Sequence, residues 1–248
     1  MLGARLQLLE GFGLETSESQ VDLPVGMQRL LAFLALRGPT HRHVVAGTLW
    51  PEVPEAQALA SLRTGMWRMN RIVPGVVDTE GVRLAMAHAT VVDSREQELF
   101  ATRLLRERGD GESGEGESGT DQRWVTDGLP SLWHGELLPG WYDDWVVFER
   151  ERLSQLRLHA LEHAAVMLTR TRQLETALQL ALEAVRAEPL RESANAVLIG
   201  VYLAEGNACD AIRQFDAFRD LLQRELGLDP SPQLSRLVPR PRRPLTHS

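Results

Sequence analysis

Between residues 55 and 73 the apolar positions of the chain recur at intervals of three and four. This spacing is typical of a helix with one buried face, and the apolar positions are Leu59, Leu62, Met66, Met69 and Val73. The opposite face has no acidic residue and carries Gln57, Ser61, Thr64, Trp67, Arg68 and Arg71, with Arg63 on the flank. The pattern predicts a helix that packs on one side and presents a positively charged polar surface on the other.

The sequence on either side of this helix predicts short strands and further helices. Apolar residues surround nearly the whole helix expected over 27–37, which predicts a central buried helix that ends at Gly38-Pro39. Gly81 marks the turn of a small hairpin after the 55–73 helix. The other predicted elements are strands over 5–9 and 20–23, a polar connection over 40–43, one or two helical turns over 43–50, and hairpin strands over 76–78 and 82–84 around a turn at 79–81.

The order of sheet, three helices and hairpin predicts a winged helix-turn-helix domain over residues 1–91, with a small antiparallel sheet. Its third helix, 55–73, combines an apolar side with Arg, Thr, Ser and Gln side chains, as a helix in the DNA major groove requires. Arg83 on the hairpin is either a phosphate contact or an ordinary exposed strand residue. A solvated helix with surface arginines is the plainer interpretation of 55–73, and it stays open.

From Trp124 onwards the sequence predicts helices joined by short turns. The expected helices cover 149–170, 174–187, 190–205 and 208–226, and one over 94–108 precedes them. The turns Arg172-Gln173 and Gly206-Asn207 lie 34 residues apart, which is the period of tetratricopeptide helix pairs. We therefore predict an all-α, tetratricopeptide-like domain over 92–238, and a protein that is mainly α and α+β overall.

Three other stretches belong to this second part of the chain or follow it. Residues 109–121 contain only Gly, Ser, Thr and acids, which predicts a flexible acidic loop. The proline-rich basic residues 239–248 predict a disordered tail. Trp133, Trp141 and Trp145 form either an aromatic ligand cage or the core of a helical corner, and such clusters are more often core.

Charge is distributed unevenly along the 248 residues, whose net charge is −7. Residues 1–90 are neutral overall, so all of the net negative charge comes from residues 91–248. Residues 56–75 hold three arginines and no acid, which makes the local field positive. All 27 basic residues are arginine, and the lack of lysine excludes a phosphate-loop lysine and a Schiff base.

Few features of the sequence indicate export, a membrane, a metal or catalysis. Cys209 is the single cysteine, which excludes an internal disulfide and a cysteine metal cluster. No apolar run approaches a membrane span and no export signal is recognisable, so we expect a cytoplasmic protein that does not contact the membrane. The histidine pairs are His41 with His43 and His159 with His163, each without a third ligand of known position. We expect no enzyme, no cofactor and no metal site.

Several segments of the chain resemble known families. The C-terminal part contains Leu132–Leu138, Trp141–Trp145, Pro189–Glu192 and Arg224–Pro232, and these segments resemble the bacterial transcriptional activator domain. The first 90 residues resemble an OmpR-type winged helix, most closely at Leu49-Trp50-Pro51 and Leu62-Arg63-Thr64. The two domains in this order resemble SARP-type regulators, the Streptomyces antibiotic regulatory protein family.

The resemblance implies a transcriptional activator without cofactors that binds double-stranded promoter DNA at direct repeats. It further implies a homodimer on DNA, contact with RNA polymerase and target genes that often form a biosynthetic cluster. It places Arg63, Thr64, Arg68 and Arg71 at DNA-facing or flanking positions. With the helix face and the hairpin, the predicted DNA-binding residues are Gln57, Ser61, Arg63, Thr64, Trp67, Arg68, Arg71 and Arg83.

The sequence also departs from the family pattern at three places. Gly81-Val82 stands where Gly-Tyr is expected, Met69-Asn70 stands where Leu-Arg is usual, and 109–121 is an insertion. The first change removes an aromatic anchor from the wing and the second removes one basic contact. The weakened wing and the negative net charge favour an alternative function, a tetratricopeptide-type interaction scaffold with a degenerate DNA-binding domain, whereas the positive face of the 55–73 helix argues against it.

Overall fold

The computed structural model describes residues 3–110, 123–133 and 135–238. The chain forms two compact units, one from Met1–Phe100 with Thr126–Ser154 and the other from Ala101–Val125 with Gln155–Ser248. The domain boundary predicted at residue 91 stays a prediction. Gly109 and Asp110 lie in a helix, whereas the rest of the predicted acidic loop and the predicted tail at 239–248 lie outside the described residues.

Short strands and longer helices make up the described part of the chain. The strands are β1 (Arg5–Gln7), β2 (Gly13–Glu15), β3 (Thr40–His41), β4 (Val77–Glu80), β5 (Arg83–Met86) and β6 (Val91–Val92). The α-helices are α1 (Val25–Arg37), α2 (Arg42–Leu49), α3 (Glu55–Ile72), α4 (Asp93–Asp110), α5 (Arg123–Gly128), α6 (Asp144–Arg170), α7 (Leu174–Ala187), α8 (Glu192–Glu205), α9 (Ala208–Leu226) and α10 (Pro232–Leu237). A 3-10 helix covers Leu129–Trp133. Among the helices described, none has both the length and the apolar character to cross a bilayer.

The first sheet of the first unit has the strand order β2-β1-β6. Leu6 of β1 lies opposite Leu14 of antiparallel β2 and opposite Val92 of parallel β6. Since side chains alternate between the two faces of a strand, these three share one face, and all three are buried. They belong to the same apolar core as Leu30 and Leu31 of α1.

The second sheet has the strand order β3-β5-β4 and follows the helices α1 to α3 along the chain. α1 is buried nearly all round, as its sequence predicts, and it ends where the N–H of Gly38 donates to the Leu34 carbonyl at 3.0 Å. β4 and β5 form the predicted hairpin, with Leu84 of β5 fully buried. Sheet, three helices and hairpin thus occur in the order of a winged helix-turn-helix.

Residues 126–154 pack onto the first sheet rather than standing apart from it. The N–H of Leu138 donates to the Leu8 carbonyl at 2.8 Å, and Leu9 forms a β-bridge with Leu137. Arg150 donates to the carbonyls of Leu137 and Leu138 and so fixes this segment from within. These hydrogen bonds satisfy backbone groups that burial would otherwise leave without a partner.

Two of the three clustered tryptophans are part of this core. Trp145 is 6% exposed and meets Phe33 edge to face at 5.3 Å between ring centroids. Trp141 stacks on Phe12 at 6.2 Å. The core prediction is therefore confirmed for these two tryptophans, and it is wrong for Trp133, whose side chain is exposed.

The second unit repeats one helix-turn-helix geometry after 34 residues, as the sequence predicts. Arg172 and Gly206 both have a left-handed backbone, with φ of 63° and 86°. The next residues, Gln173 and Asn207, match in φ and ψ at −87° and 62° against −86° and 60°. Each donates its N–H to the carbonyl five residues earlier, at 2.9 and 2.8 Å. α7 follows the first turn and α9 the second, so the turns join the tetratricopeptide-like pairs α6–α7 and α8–α9.

Gly200 within α8 and Gly206 at its C-cap should respond to alanine in opposite directions. Gly206→Ala should lower the free energy of unfolding by about 1–2 kcal/mol, because a Cβ is strained at left-handed φ. Gly200→Ala should raise it by about 0.5–1 kcal/mol, because Gly200 is helical and its added Cβ meets no atom within 4 Å. Urea denaturation of both variants measures the two shifts, and shifts of the same sign would contradict the assignment of the turn.

Several element boundaries differ from the sequence prediction. Residues 20–23 form only a single bridge, from Gln20 to Glu15, instead of a strand. The connection expected over 40–43 contains β3, which pairs with β5 and enlarges the hairpin to three strands. The hairpin turn is Gly81-Val82, since Glu80 still pairs with Arg83. α6 begins at Asp144, earlier than the expected 149, and α8 begins at Glu192, later than the expected 190.

Candidate nucleic-acid interface

The helix α3 packs its apolar side into the core of the first unit. Ala58, Leu62 and Met69 are at most 2% exposed, and Val73 directly after the helix is buried as well. Met66 is half-buried against the same core. The apolar stripe predicted from the spacing is confirmed, and the opposite side of α3 is left to solvent.

The predicted contact residues of α3 lie on this solvent side. Ser61 is half-buried, and the exposed members of the set are Gln57, Arg63, Thr64, Trp67, Arg68 and Arg71. The Trp67 indole is 60% exposed, so an aromatic ring is accessible on this side of α3. Arg83, also exposed, comes from β5 rather than from the helix.

The arginines of α3 differ from most arginines elsewhere in their lack of acidic partners. Within the described residues, no carboxylate forms an ion pair with Arg63, Arg68 or Arg71. By contrast, paired arginines include Arg29, Arg150, Arg152, Arg157, Arg186, Arg191, Arg213, Arg219 and Arg224. The three guanidinium groups of α3 are therefore available to an external anion, and the fold leaves their charge uncompensated.

The helix α2 and a proline-bounded turn set the start of α3. α2 ends where the N–H of Trp50 donates to the Ala46 carbonyl at 3.0 Å. Pro54 occupies the N-cap position of α3, and its carbonyl accepts the N–H of Gln57 and of Ala58 at 2.9 and 3.0 Å. Proline suits this place because the first helical turn needs no N–H donor from it.

Two α3 side chains are constrained in what they can offer to a ligand. The hydroxyl of Thr64 donates to the Ala60 carbonyl at 3.1 Å, so it offers an external group mainly its lone pairs. Glu55 lies in the first turn of α3, where its carboxylate disfavours a phosphate at the helix N-terminus. Anion binding by α3 therefore depends on its arginine side chains.

The hairpin β4–β5 forms the wing of the domain. Its turn residue Gly81 has φ of 60°, which a glycine adopts without strain, and Val82 beside it is 63% exposed. Arg83 donates from Nε to Nε2 of His41 at 3.4 Å, a contact across the β3–β5 pair. Arg83 is thereby tied to the sheet, and its side chain stays exposed.

A cleft of about 300 Å³ lies between α3 and the wing. Its lining residues are Arg42, Met66, Trp67, Met69, Asn70, Val73, Val76, Val77 and Thr79. Arg42, the first residue of α2, was missed by the sequence analysis, which assigned it to a polar connection. A basic residue at the start of the helix before α3 was the available signal, but only the pairing of β3 with β5 brings it to the cleft that Trp67 also lines.

Comparisons with known proteins place the chain among bacterial regulators. Residues 98–240 match the family of the bacterial transcriptional activator domain. The chain is similar to regulatory protein AfsR of Streptomyces coelicolor, with 33% identity over 222 residues, and to AfsR of Streptomyces griseus, with 30% over 228 residues. Each alignment covers 85% of this chain, but the chain spans only 21% and 22% of those relatives.

A solved structure shares the fold. It is Mycobacterium tuberculosis EmbR in complex with a low affinity phosphopeptide, and the TM-score is 0.68 at 18% sequence identity. The match covers 96% of this chain and 64% of that one. At this identity the likeness concerns the fold alone, and it agrees with a small N-terminal sheet region followed by a helical C-terminal part.

Proposed function

Because this chain belongs to the bacterial transcriptional activator domain family of SARP-type regulators, we propose that it activates transcription by binding promoter DNA in a sequence-specific manner. α3 lies in the major groove with its exposed side facing the base edges. Arg83 on the wing and Arg42 beside the cleft contact backbone phosphates. A regulator of this kind carries out no catalysis.

The observation that carries this proposal is the set of unpaired arginines on α3. Arg63, Arg68 and Arg71 are exposed, and no described carboxylate neutralises them, in a protein whose net charge is −7. Arginine forms bidentate hydrogen bonds with guanine and with phosphate oxygens, so this surface matches DNA in both charge and geometry. The amide of Gln57 and the hydroxyl of Ser61 add polar groups on the same helix.

One winged helix contacts few base pairs, so the proposal includes a homodimer on two direct half-sites. A second copy adds its own phosphate and base contacts, which raises specificity to the level that a promoter requires. The matched helix pairs α6–α7 and α8–α9 support contact with a protein, because such pairs present extended side-chain surfaces to partners. RNA polymerase is the partner that an activator at a promoter requires.

Selection from a random duplex pool tests the proposal. We expect the purified protein to enrich a motif repeated in one orientation after several rounds at about 150 mM salt, and the spacing of the repeats gives the arrangement of the two copies. Binding without enrichment would reduce the interface to an electrostatic contact. No binding even at low salt would favour the interaction scaffold and direct the search to a protein partner.

A further inference from the structure

Trp67 and Arg71 form a cation–π pair on the exposed side of α3. The Cζ atom of Arg71 lies 4.9 Å from the centroid of the Trp67 ring. The indole is 60% exposed, so the pair lies at the surface rather than in the core. A guanidinium over an indole face is attracted by the negative potential of the ring.

We propose that Trp67 is a positioning residue that holds Arg71 as a clamp on the DNA backbone, which leaves Arg68 as the arginine that reads a base. This inference rests on the proposed DNA binding. It assigns different tasks to arginines that the sequence does not distinguish.

Helix geometry explains why the indole holds Arg71 and not the other arginines. Side chains of a helix lean towards its N-terminus, so a residue covers the turn before its own Cα. Arg71 therefore leans over Trp67, four residues earlier, whereas Arg63 leans away from it. Within the described residues, no aromatic ring lies under Arg63 or Arg68.

The position of Arg71 in the helix favours a phosphate over a base. Arg71 lies in the last turn of α3, directly before the chain turns away at Val73. A straight helix of 18 residues is about 27 Å long and cannot follow the curved groove over its whole length, so its ends approach the backbone. Arg68 is about one turn closer to the middle on the exposed face, where base edges are within reach, whereas Arg63, nearer the middle, lies on the flank of the helix.

The indole prepares Arg71 for this contact without blocking it. The side chain of Arg71 makes no hydrogen bond to another described residue, so its N–H groups stay free to donate while the indole holds the guanidinium. An arginine held by an indole also samples fewer rotamers before binding, so it loses less conformational entropy when a phosphate is captured. Trp67 therefore acts through Arg71.

A double-mutant cycle on the selected duplex tests the assignment. We expect Trp67→Leu to weaken binding about two- to fivefold in the wild-type protein and by less than about twofold when Arg71 is already alanine. Trp67→Phe should restore most of the loss, because it keeps an aromatic face. In the matched control, Trp67→Leu should weaken binding of the selected duplex by the same factor in the wild-type protein and in the Arg68→Ala variant.

Salt and sequence dependence separate the backbone clamp from the base reader. Arg71→Ala should lower the slope of log K against log salt by about 0.9 and leave the preference for the selected duplex over a scrambled one unchanged. Arg68→Ala should reduce that preference by about tenfold. Circular dichroism melts of all variants should match the wild-type protein, since the three residues are exposed.

Other outcomes would overturn the assignment. If the effects of Trp67→Leu and Arg71→Ala are additive, Trp67 does not position Arg71. If Arg71→Ala lowers the preference for the selected duplex, Arg71 reads a base. Either result leaves the proposed DNA binding intact, whereas a wild-type protein that binds no duplex overturns both proposals.

Discussion

The variant that combines Arg68→Ala with Arg71→Ala is expected to bind the selected duplex about 30- to 1,000-fold more weakly than the wild-type protein. One bidentate contact to a base is worth about 1–3 kcal/mol, and the lost phosphate contact adds the free energy of counterion release. Both side chains are exposed and make no ion pair with a described carboxylate, so the two substitutions should not destabilise the fold. Fluorescence anisotropy titrations over a salt series measure the loss.

A matched control keeps the change in net charge and moves it away from α3. Arg213→Ala with Arg224→Ala also removes two exposed guanidinium groups, at 79% and 67% side-chain exposure, from the second unit. This control should bind the duplex nearly as well as the wild-type protein. An equal loss in both double variants would mean that binding responds to net charge alone. Unchanged affinity in the α3 variant would exclude α3 as the recognition helix.

Arg157→Met is expected to lower the free energy of unfolding by about 3–5 kcal/mol. Arg157 of α6 forms an ion pair with Glu183 of α7, and the side chains are only 7% and 10% exposed. Removing the cation leaves a carboxylate in a poorly hydrated site, with Arg186 at its outer side as the remaining partner. Denaturation by urea at pH 7 measures the loss.

Two controls identify the buried pair as the cause. Arg186 is the outer partner of Glu183, and its side chain is 74% exposed. Arg186→Met should therefore lower the free energy of unfolding much less than Arg157→Met does. Arg157→Met combined with Glu183→Leu should recover most of the stability, because no buried charge is left without a partner. A double variant as unstable as Arg157→Met would attribute the loss to packing of the arginine stem instead.

The pH dependence of this loss follows from the ionisation of Glu183. Burial raises the pKa of Glu183, but hydrogen bonds from Arg186 and Arg157 outweigh burial and hold it below its ordinary value. A carboxyl whose pKa is lowered by folding stabilises the protein above its unfolded pKa, about 4.3, and loses this contribution as the pH falls through the folded value. The difference between Arg157→Met and the wild-type protein should therefore be full at pH 7 and shrink below about pH 4.

Much of the helical structure follows from local sequence. The helices predicted over 174–187 and 208–226 agree with α7 and α9 at both ends, and α3 ends one residue before its predicted limit. Their apolar periodicity and the residues at their ends depend on neighbours three to five positions away. The repeat of 34 residues is local in the same sense, since each turn is set by the backbone of two residues.

The short strands could not be predicted in the same way. β3 and β6 have two residues each, and they are strands only because β5 and β1 supply their hydrogen-bond partners. The same holds for residues 126–154, which join the first unit through bonds to Leu8 and Leu9. A ladder bond needs a partner from a distant part of the chain, and no local pattern identifies that partner.

For the candidate interface, the sequence by itself determined the amphipathic helix α3, its acid-free side and the family to which the chain belongs. Only the tertiary structure decided which arginines of the described residues are paired with a carboxylate and which, such as those of α3, are not. Arg157 is buried against Glu183 and Arg68 is exposed without a carboxylate, although both lie on helices. The reason is physical: an ion pair depends on the distance between side chains of different elements, and folding alone sets that distance.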